Sequence, residues 1–579
     1  MLFRSGAYLC AGATLSQTDS VSGNTKSDGS ISNVYNSETA CISSGEALAA
    51  LTAGESYDFV ASPDMTNADM SEFMMSLFTV GAGSSNLHFD TSTLDLSQAV
   101  NVTELQLPWL YGNGTNAQLD NHITSLVLPP NLTDVNKGGY TLYSTLSQNI
   151  TEITIADSNS KYCTQDGILY SKDMKELVWY PAKKPGDSFT TPSSVTKIGK
   201  QAFYGNQTLK NLVIASNVKT IGESVFLYSH LEEVTINGSV TSLGSELFQS
   251  SSQLRKAVLP ASLKTLSYRV FYGCTALKEI IFNGTSKQWS TIAINDSYGV
   301  WNEGVPGSVR CTDGFVFVSG KTVSNAVSGS SVFITGRSVA INNLFVCDHE
   351  VTQAEFQTIM GTNPSYFDGS TGKEPADGET QENRPVENVS WYAAIAYCNK
   401  RSAAENLTPC YSVSGITDWQ NFAYSSIPTE DDETWNAVTC SWTANGYRLP
   451  TEAEWEYLAR GGNNGIPSTQ YDYAGSNTIG DVAWYSGNTS DMTHEVKKKD
   501  ANILSIYDMS GNVYEWCWDF AGDISDETAA TGADSGTLRV TRGGAKQNTA
   551  DFCEVSYRDN LSPFNSGDYL GFRVVRKAQ

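Results

Sequence analysis

Between Lys546 and Tyr569, four aromatic residues (Phe552, Tyr557, Phe564 and Tyr569) are interleaved with Lys546, Asn548, Asp551, Glu554, Asp559, Asn560, Asn565 and Asp568. Charged neighbours resist burial, so these rings do not read as an ordinary core stripe. Aromatic side chains in a polar setting offer contact area at low entropic cost, and Asn, Ser and Asp add adaptable hydrogen bonds. That is the chemistry of a binding patch, where truncating an anchor costs about 2 kcal/mol or more of affinity. Its expected scaffold is Ala550, Val555 and Pro563, with Arg558 and Arg573 holding the loop. The eleven cysteines (Cys10, Cys41, Cys163, Cys274, Cys311, Cys347, Cys398, Cys410, Cys440, Cys517 and Cys553) stand singly. Without a CxxC pair, zinc-ribbon and thioredoxin-type sites are excluded, and buried free thiols plus one or two disulfides are expected. The five histidines (His88, His122, His230, His349 and His494) are isolated, without ligand spacing, and are read as structural or surface residues.

The chain that must position this patch has 579 residues, which at ~150 per domain implies three or four domains. Hydrophobic residues make up 40% and aromatics 11%, enough for large cores, whereas charged residues are only 17%. A surface built from Ser, Thr, Asn and Gly suits an extracellular protein. The net charge of −25 repels phosphate backbones and anionic lipid heads, which argues against nucleic-acid and membrane-surface partners. No run reaches the ~18 apolar residues of a membrane span. The first residues, MLFRSGAYLC, have a basic Arg4 but an apolar stretch shorter than the ~7–15 residues of a secretion signal. A trimmed signal, a lipoprotein cysteine at Cys10 and an unstructured end all stay open. Ser16 to Glu38 reads as a flexible tether.

From Val102 to Phe282 an apolar triplet at i, i+3, i+5 recurs seven times, and the last four copies, from Leu209, Leu231, Leu254 and Leu277, start 22, 23 and 23 residues apart. Each of these four follows a lead-in such as Val195-x-x-Ile198-Gly199 and a phenylalanine: Phe203, Phe226, Phe248 or Phe271. The spacing predicts a short strand with two inward residues, and a helical turn opposite that carries the Phe. One coil cannot bury that face alone, so coils stack into a solenoid. The period, the Phe position and the lead-in resemble BspA-type leucine-rich repeats. Gly167–Tyr170 and Glu176–Tyr180 resemble a hairpin that interrupts such arrays.

After Trp289 the repeat stops and Trp and Tyr become dense. Gly314–Asn325 reads as a β-strand and turn. Thr451 with Glu454 forms a capping box before Trp455, and Ser390 opens a helix through Cys398. Ordered blocks follow one another: Glu350–Phe356, Asn363–Tyr366, Arg384–Trp391, Tyr447–Tyr457, Tyr507–Trp516, Arg542-Gly-Gly544 and Gly571–Val575. Together they resemble the formylglycine-generating, sulfatase-modifying enzyme family, a variant of the C-type lectin fold.

The resemblance implies two copper-binding cysteines five residues apart after the RGG motif. Counting from Gly543-Gly544, those positions hold Asn548 and Cys553. An amide oxygen does not replace a soft thiolate, so no copper and no oxidase activity are expected, and Cys553 reads as a small buried hydrophobe. The usual Ser-Trp after RGG is Ala545-Lys546, and a Lys in that place predicts an exposed stretch. The resemblance also implies a structural Ca²⁺ at Asp508, Gly511, Val513 and Glu515, through two side-chain oxygens and two backbone carbonyls. The family's other calcium site does not align through Asp491–Lys499. Finally, Lys546–Leu570 resembles the variable region of diversity-generating retroelement proteins, which vary ligand-binding residues on this fold.

The expected architecture is therefore multidomain: a leucine-rich-repeat solenoid followed by an α+β C-type-lectin-like, formylglycine-generating-enzyme-like domain with much irregular structure. The expected divisions are a flexible segment at 1–40, a cap at 41–100, repeats at 101–289, a connector at 290–310 and the lectin-like domain at 311–579, with a variable region at 545–570. The expected function is a secreted or surface-anchored bacterial receptor or adhesin for a protein or glycan on another cell, phage or host surface. The rivals are a formylglycine-generating oxidase and a structural surface protein that binds through its repeats.

Overall fold

In the computed structural model, residues 93–105, 123–136, 148–294, 308–466 and 470–578 are described, with a few isolated positions before residue 93. The expectations for segment 1–40, most of the cap and most of the connector lie outside these residues. The chain divides into two units, Met1–Leu277 with Ile292–Val305, and Lys278–Thr291 with Pro306–Gln579. The second unit thus begins inside the last triplet, earlier than a boundary at 289 or 311.

In the first unit β1 (Ser188–Thr190), which carries no triplet, runs parallel beside three triplets that become strands β2 (Asn211–Ile214), β3 (Glu233–Ile236) and β4 (Lys256–Leu259). They pair in register, Leu212 with Val234 and Val234 with Ala257. Their inward residues are buried, as are those of the earlier copies at Leu126 and Ile153. The lead-ins form a second parallel ladder, Ile198 opposite Ile221. The expected interruption is present: Tyr162–Gln165, Ile168–Ser171 and Glu176–Trp179 pair antiparallel.

Phe203, Phe226, Phe248 and Phe271 are buried and stack in one column, with ring centroids 5.3, 5.0 and 5.4 Å apart. They sit on turns, not on the predicted helical turn. Gln201, Ser224, Glu246 and Arg269 take φ of 62, 53, 59 and 54°, which breaks a right-handed helix. The turn N–H groups donate to the next coil instead, Phe203 to Val225 O and Phe226 to Leu247 O. All nine described cysteines are free, so the expected disulfides do not form among the described residues.

The second unit opens with β5 (Glu279–Phe282), parallel to β6 (Ser308–Cys311). The sheet continues antiparallel through β7 (Phe315–Val318) and β8 (Leu344–Cys347). Helices α1 (Gln353–Met360) and α2 (Trp391–Ala404) follow, then β9 (Tyr447–Arg448) and α3 (Glu452–Ala459). The Thr451–Glu454 capping box and the Ser390 N-cap form as predicted. A second sheet is built from β10 (Tyr514–Phe520), β11 (Arg539–Arg542), β12 (Asp559–Leu561) and β13 (Leu570–Gly571), in the order β12-β11-β10-β13. The last strand, β14 (Val575–Lys577), returns between β8 and β9. Trp455, Leu458, Val540, Cys517 and Val575 share one core. The indole of Trp455 in this core donates to Glu515 Oε2, and two further buried indoles are also paired, Trp391 Nε1 with Cys517 O and Trp516 Nε1 with Val389 O. This is the α+β architecture with long irregular loops that the motif order implied.

Candidate functional site

Strand β11 ends in Arg542-Gly543-Gly544, whose glycines take φ of 92 and 72°. A Cβ on Gly544 would stand 2.7 Å from Phe552 O and 2.8 Å from Cys553 Sγ, so only glycine lets the chain fold back this closely. The segment beyond makes a short turn at Ala550–Cys553 and then edge strand β12. Two arginines hold it from beneath. Arg542 Nη2 donates to Glu456 Oε2 and to Val555 O, both at 2.7 Å. Arg558 donates to both oxygens of Glu452, at 2.6 and 2.8 Å. Cys553, Val555 and Pro563 are buried and Ala550 is half-buried. Burial pushes the Cys553 thiol up to about 12, far from a reactive thiolate.

On this support Phe552, Tyr557, Phe564 and Tyr569 are all half-buried, and the Phe552 and Tyr557 rings lie 4.8 Å apart. Asp551 and Asn560 are exposed, and Asn548, Glu554, Asp559, Asn565 and Asp568 are half-buried. Asn548 Oδ1 accepts from Ala545 N at 2.9 Å and closes a turn. Arg573, expected to hold this loop, pairs with Glu515 instead. The exposed Lys546 predicted from its charge is a correction: Lys546 is buried. Its amine pairs with Asp491 at 3.0 Å and Asp568 at 3.4 Å, and lies 4.9 Å from the Phe367 ring centre. The methylene stem fills core space while the ammonium ties the start of the segment to its end. A cavity of about 340 Å³, lined by Arg460, Gln470, Tyr471, Tyr473, Ile503 and Val555, adjoins the segment at Val555.

Of the four residues expected to hold calcium, the two carboxylates are buried and already hydrogen-bonded. Glu515 is buried and receives Arg573 at 2.6 and 2.5 Å and Trp455 Nε1 at 2.8 Å. Asp508 Oδ2 accepts from Lys497 N, and burial pushes its carboxyl up to about 6. Glu350 stands beside them, accepting from Val513 N and Asn512 Nδ2. Arg573 fills the cationic role here, and a Ca²⁺ would have to draw Glu515 away from it.

One group escaped the sequence reading. His349, isolated along the sequence, lies with Cys347 and Glu355 in a cluster whose potential ligand atoms all fall within 4.8 Å of one another. The ring also meets Asp348 Oδ1 at 2.5 Å through Nδ1. Burial alone would lower the His349 pKa, but Cys347, Asp348 and Glu355 outweigh it and raise it well above the ordinary value. The available signal was the Cys-x-His spacing at the end of a strand, followed six residues on by a helix-capping Glu.

Residues 304–578 match the sulfatase-modifying factor enzyme 1-like domain, and residues 182–300 match BspA-type leucine-rich repeats in six copies. A chaperone protein, LppX of Paenibacillus barcinonensis, is 36% identical over 47% of this chain and 91% of its own length. The formylglycine-generating enzyme of Streptomyces coelicolor is 33% identical over 25% of this chain, which spans about half (51%) of that enzyme. Among solved structures, Treponema denticola variable protein 1 is 39% identical with a TM-score of 0.42, over 45% of this chain and 95% of that one.

Proposed function

The chain belongs to the sulfatase-modifying factor enzyme 1-like family through residues 304–578 and carries BspA-type repeats before them, and from that premise we propose a bacterial surface protein that binds a protein or glycan ligand through Lys546–Tyr569. The observation that carries this reading is the arrangement of that segment. Four half-buried aromatics and a mixed set of acids and amides surround buried Cys553, Val555 and Pro563, with Arg542 bound to the Val555 carbonyl and Arg558 tied to Glu452. A rigid support under aromatic anchors limits the entropy lost on binding. Sequence variation in this segment, secretion and surface anchoring belong to the same proposal.

A formylglycine-generating oxidase is the weaker reading, since Asn548 caps a turn where a copper thiolate would be needed and Cys553 is sealed in the core. Calcium at Asp508, Gly511, Val513 and Glu515 stays a proposal, and the Arg573–Glu515 pairing weighs against it. A rise in melting temperature on adding Ca²⁺, reversed by a chelator, would support it, and no shift would withdraw it.

The test is a glycan array and an extracellular-protein array probed with the full chain and with a Tyr557→Ala/Tyr569→Ala variant. The variant should lose the signals of the native chain while melting within a few degrees of it. Unchanged binding, or unfolding of the variant, would overturn the assignment of these tyrosines as anchors.

A further inference from the structure

We propose that Cys347, His349 and Glu355 form a binding site for a zinc-type transition-metal ion, with Asp348 orienting the histidine. The site lies apart from the 546–569 segment and does not depend on its role. Its donors are a thiol, an imidazole and a carboxylate, the set that zinc and cobalt prefer, and three protein ligands leave a fourth position for water.

Distances between the donors fit this. With metal–nitrogen bonds of about 2.0–2.1 Å and metal–sulfur bonds of about 2.3 Å, tetrahedral neighbours stand roughly 3.3–3.6 Å apart. His349 Nε2 is 3.3 Å from Glu355 Oε2, and Cys347 Sγ is 3.6 and 3.8 Å from the two ring nitrogens. Because Sγ is nearly equidistant from both nitrogens, the ring must turn about χ2 to aim Nε2 between sulfur and carboxylate. In its present orientation Nδ1 meets the kind of outer carboxylate that metal-bound histidines use, at Asp348 Oδ1, and Lys497 Nζ pairs with that same oxygen at 2.5 Å.

The backbone is rigid where it matters. Cys347 ends β8, which is flanked by β7 and β14. Glu355 is the third residue of α1, where Oε2 also accepts from Thr352 N at 2.9 Å. That oxygen also receives the Thr352 hydroxyl at 3.3 Å, a contact the ion would displace, and Arg401 stands at Oε1, 3.7 Å away. Gly314, with φ of 75°, lies against the ring, and a Cβ there would stand 3.2 Å from His349 Cε1. The thiol is buried, while the Glu355 side chain is 28% exposed, so an ion can enter from the carboxylate side.

The test is titration of the metal-stripped full chain with Co²⁺, followed by absorption spectroscopy. One equivalent should bind, with a thiolate-to-cobalt charge-transfer band and intense tetrahedral visible bands, and Zn²⁺ should displace it. Cys347→Ser should abolish the charge-transfer band, which separates this thiol from the other ten cysteines. Asp348→Asn should weaken binding about 10–100-fold. Glu355→Gln, at the more accessible ligand, serves where the cysteine variant does not fold, and should also weaken binding. Absence of a charge-transfer band in the native chain, or a band that persists in Cys347→Ser, would overturn the site.

Discussion

In the repeat unit each buried layer copies the one before it. Phe203, Phe226, Phe248 and Phe271 form one column, and the strands beneath them repeat the same inward pair. Among the described residues of the C-terminal unit no layer is repeated, and the interior holds charges. Arg448 faces Glu454, Arg542 faces Glu452 and Glu456, and Arg573 faces Glu515, all nearly inaccessible to solvent. Arg539 lies among Phe520, Trp391 and Trp518, and burial draws its pKa down to about 9. The difference teaches how each unit tolerates change. A coil depends on its neighbours alone, so a defect stays local. A buried ion pair joins residues far apart in the chain, so losing one partner strands a charge in the core.

The sharpest way to break this comparison is to move the start of the C-terminal unit. A chain comprising 278–579 keeps β5, β6 and the capped helix Ser286–Trp289, whose Ser286 Oγ accepts from Arg576. It should unfold in one cooperative transition by circular dichroism, whereas 312–579 should be protease-sensitive. Equal behaviour of the two would show that β5 and β6 are dispensable.

Next in size is Arg542→Ala, which leaves Glu452 and Glu456 short of a cation and should cost about 3–5 kcal/mol in denaturant unfolding of the C-terminal unit. The repeat unit should keep its own midpoint. Per pH unit, a smaller effect is expected from titration. Burial first, and then Glu452, push the Asp519 carboxyl up to about 8, and its Oδ2 accepts from Glu452 N at the start of α3. Between about pH 4 and 8 the folded protein keeps a proton that the unfolded chain has released. This group therefore makes stability fall as pH rises through that window, by on the order of 1.4 kcal/mol per pH unit at most. Asp519→Asn should remove that slope in thermal melts across the same range, and an unchanged slope would refute the assignment. The smallest change is Ile236→Val in the repeats, expected to cost about 0.5–1.5 kcal/mol and to leave the C-terminal transition untouched.

Much of this molecule is legible along the chain because its signals are local. The 22–23-residue period, the inward triplets, the stacked phenylalanines and the Thr451–Glu454 cap depend on spacings of a few residues, and they appear where those spacings place them. The segment proposed to bind ligand stands out in composition, as four aromatics among acids, and all four rings are half-buried. Only the tertiary structure decided the rest, because it pairs groups that no local spacing relates. Lys546 is buried because Asp568, 22 residues later, and Asp491 meet its amine. Glu515 is drawn to Arg573, 58 residues away, where the motif alone suggested a cation. Cys347 and His349 meet Glu355 because only five residues separate the end of β8 from the start of α1, and a turn between a strand and a helix has no period to read. Periodicity determines which face of an element is buried, whereas the partner of a buried charge is set by whichever element the fold brings beside it.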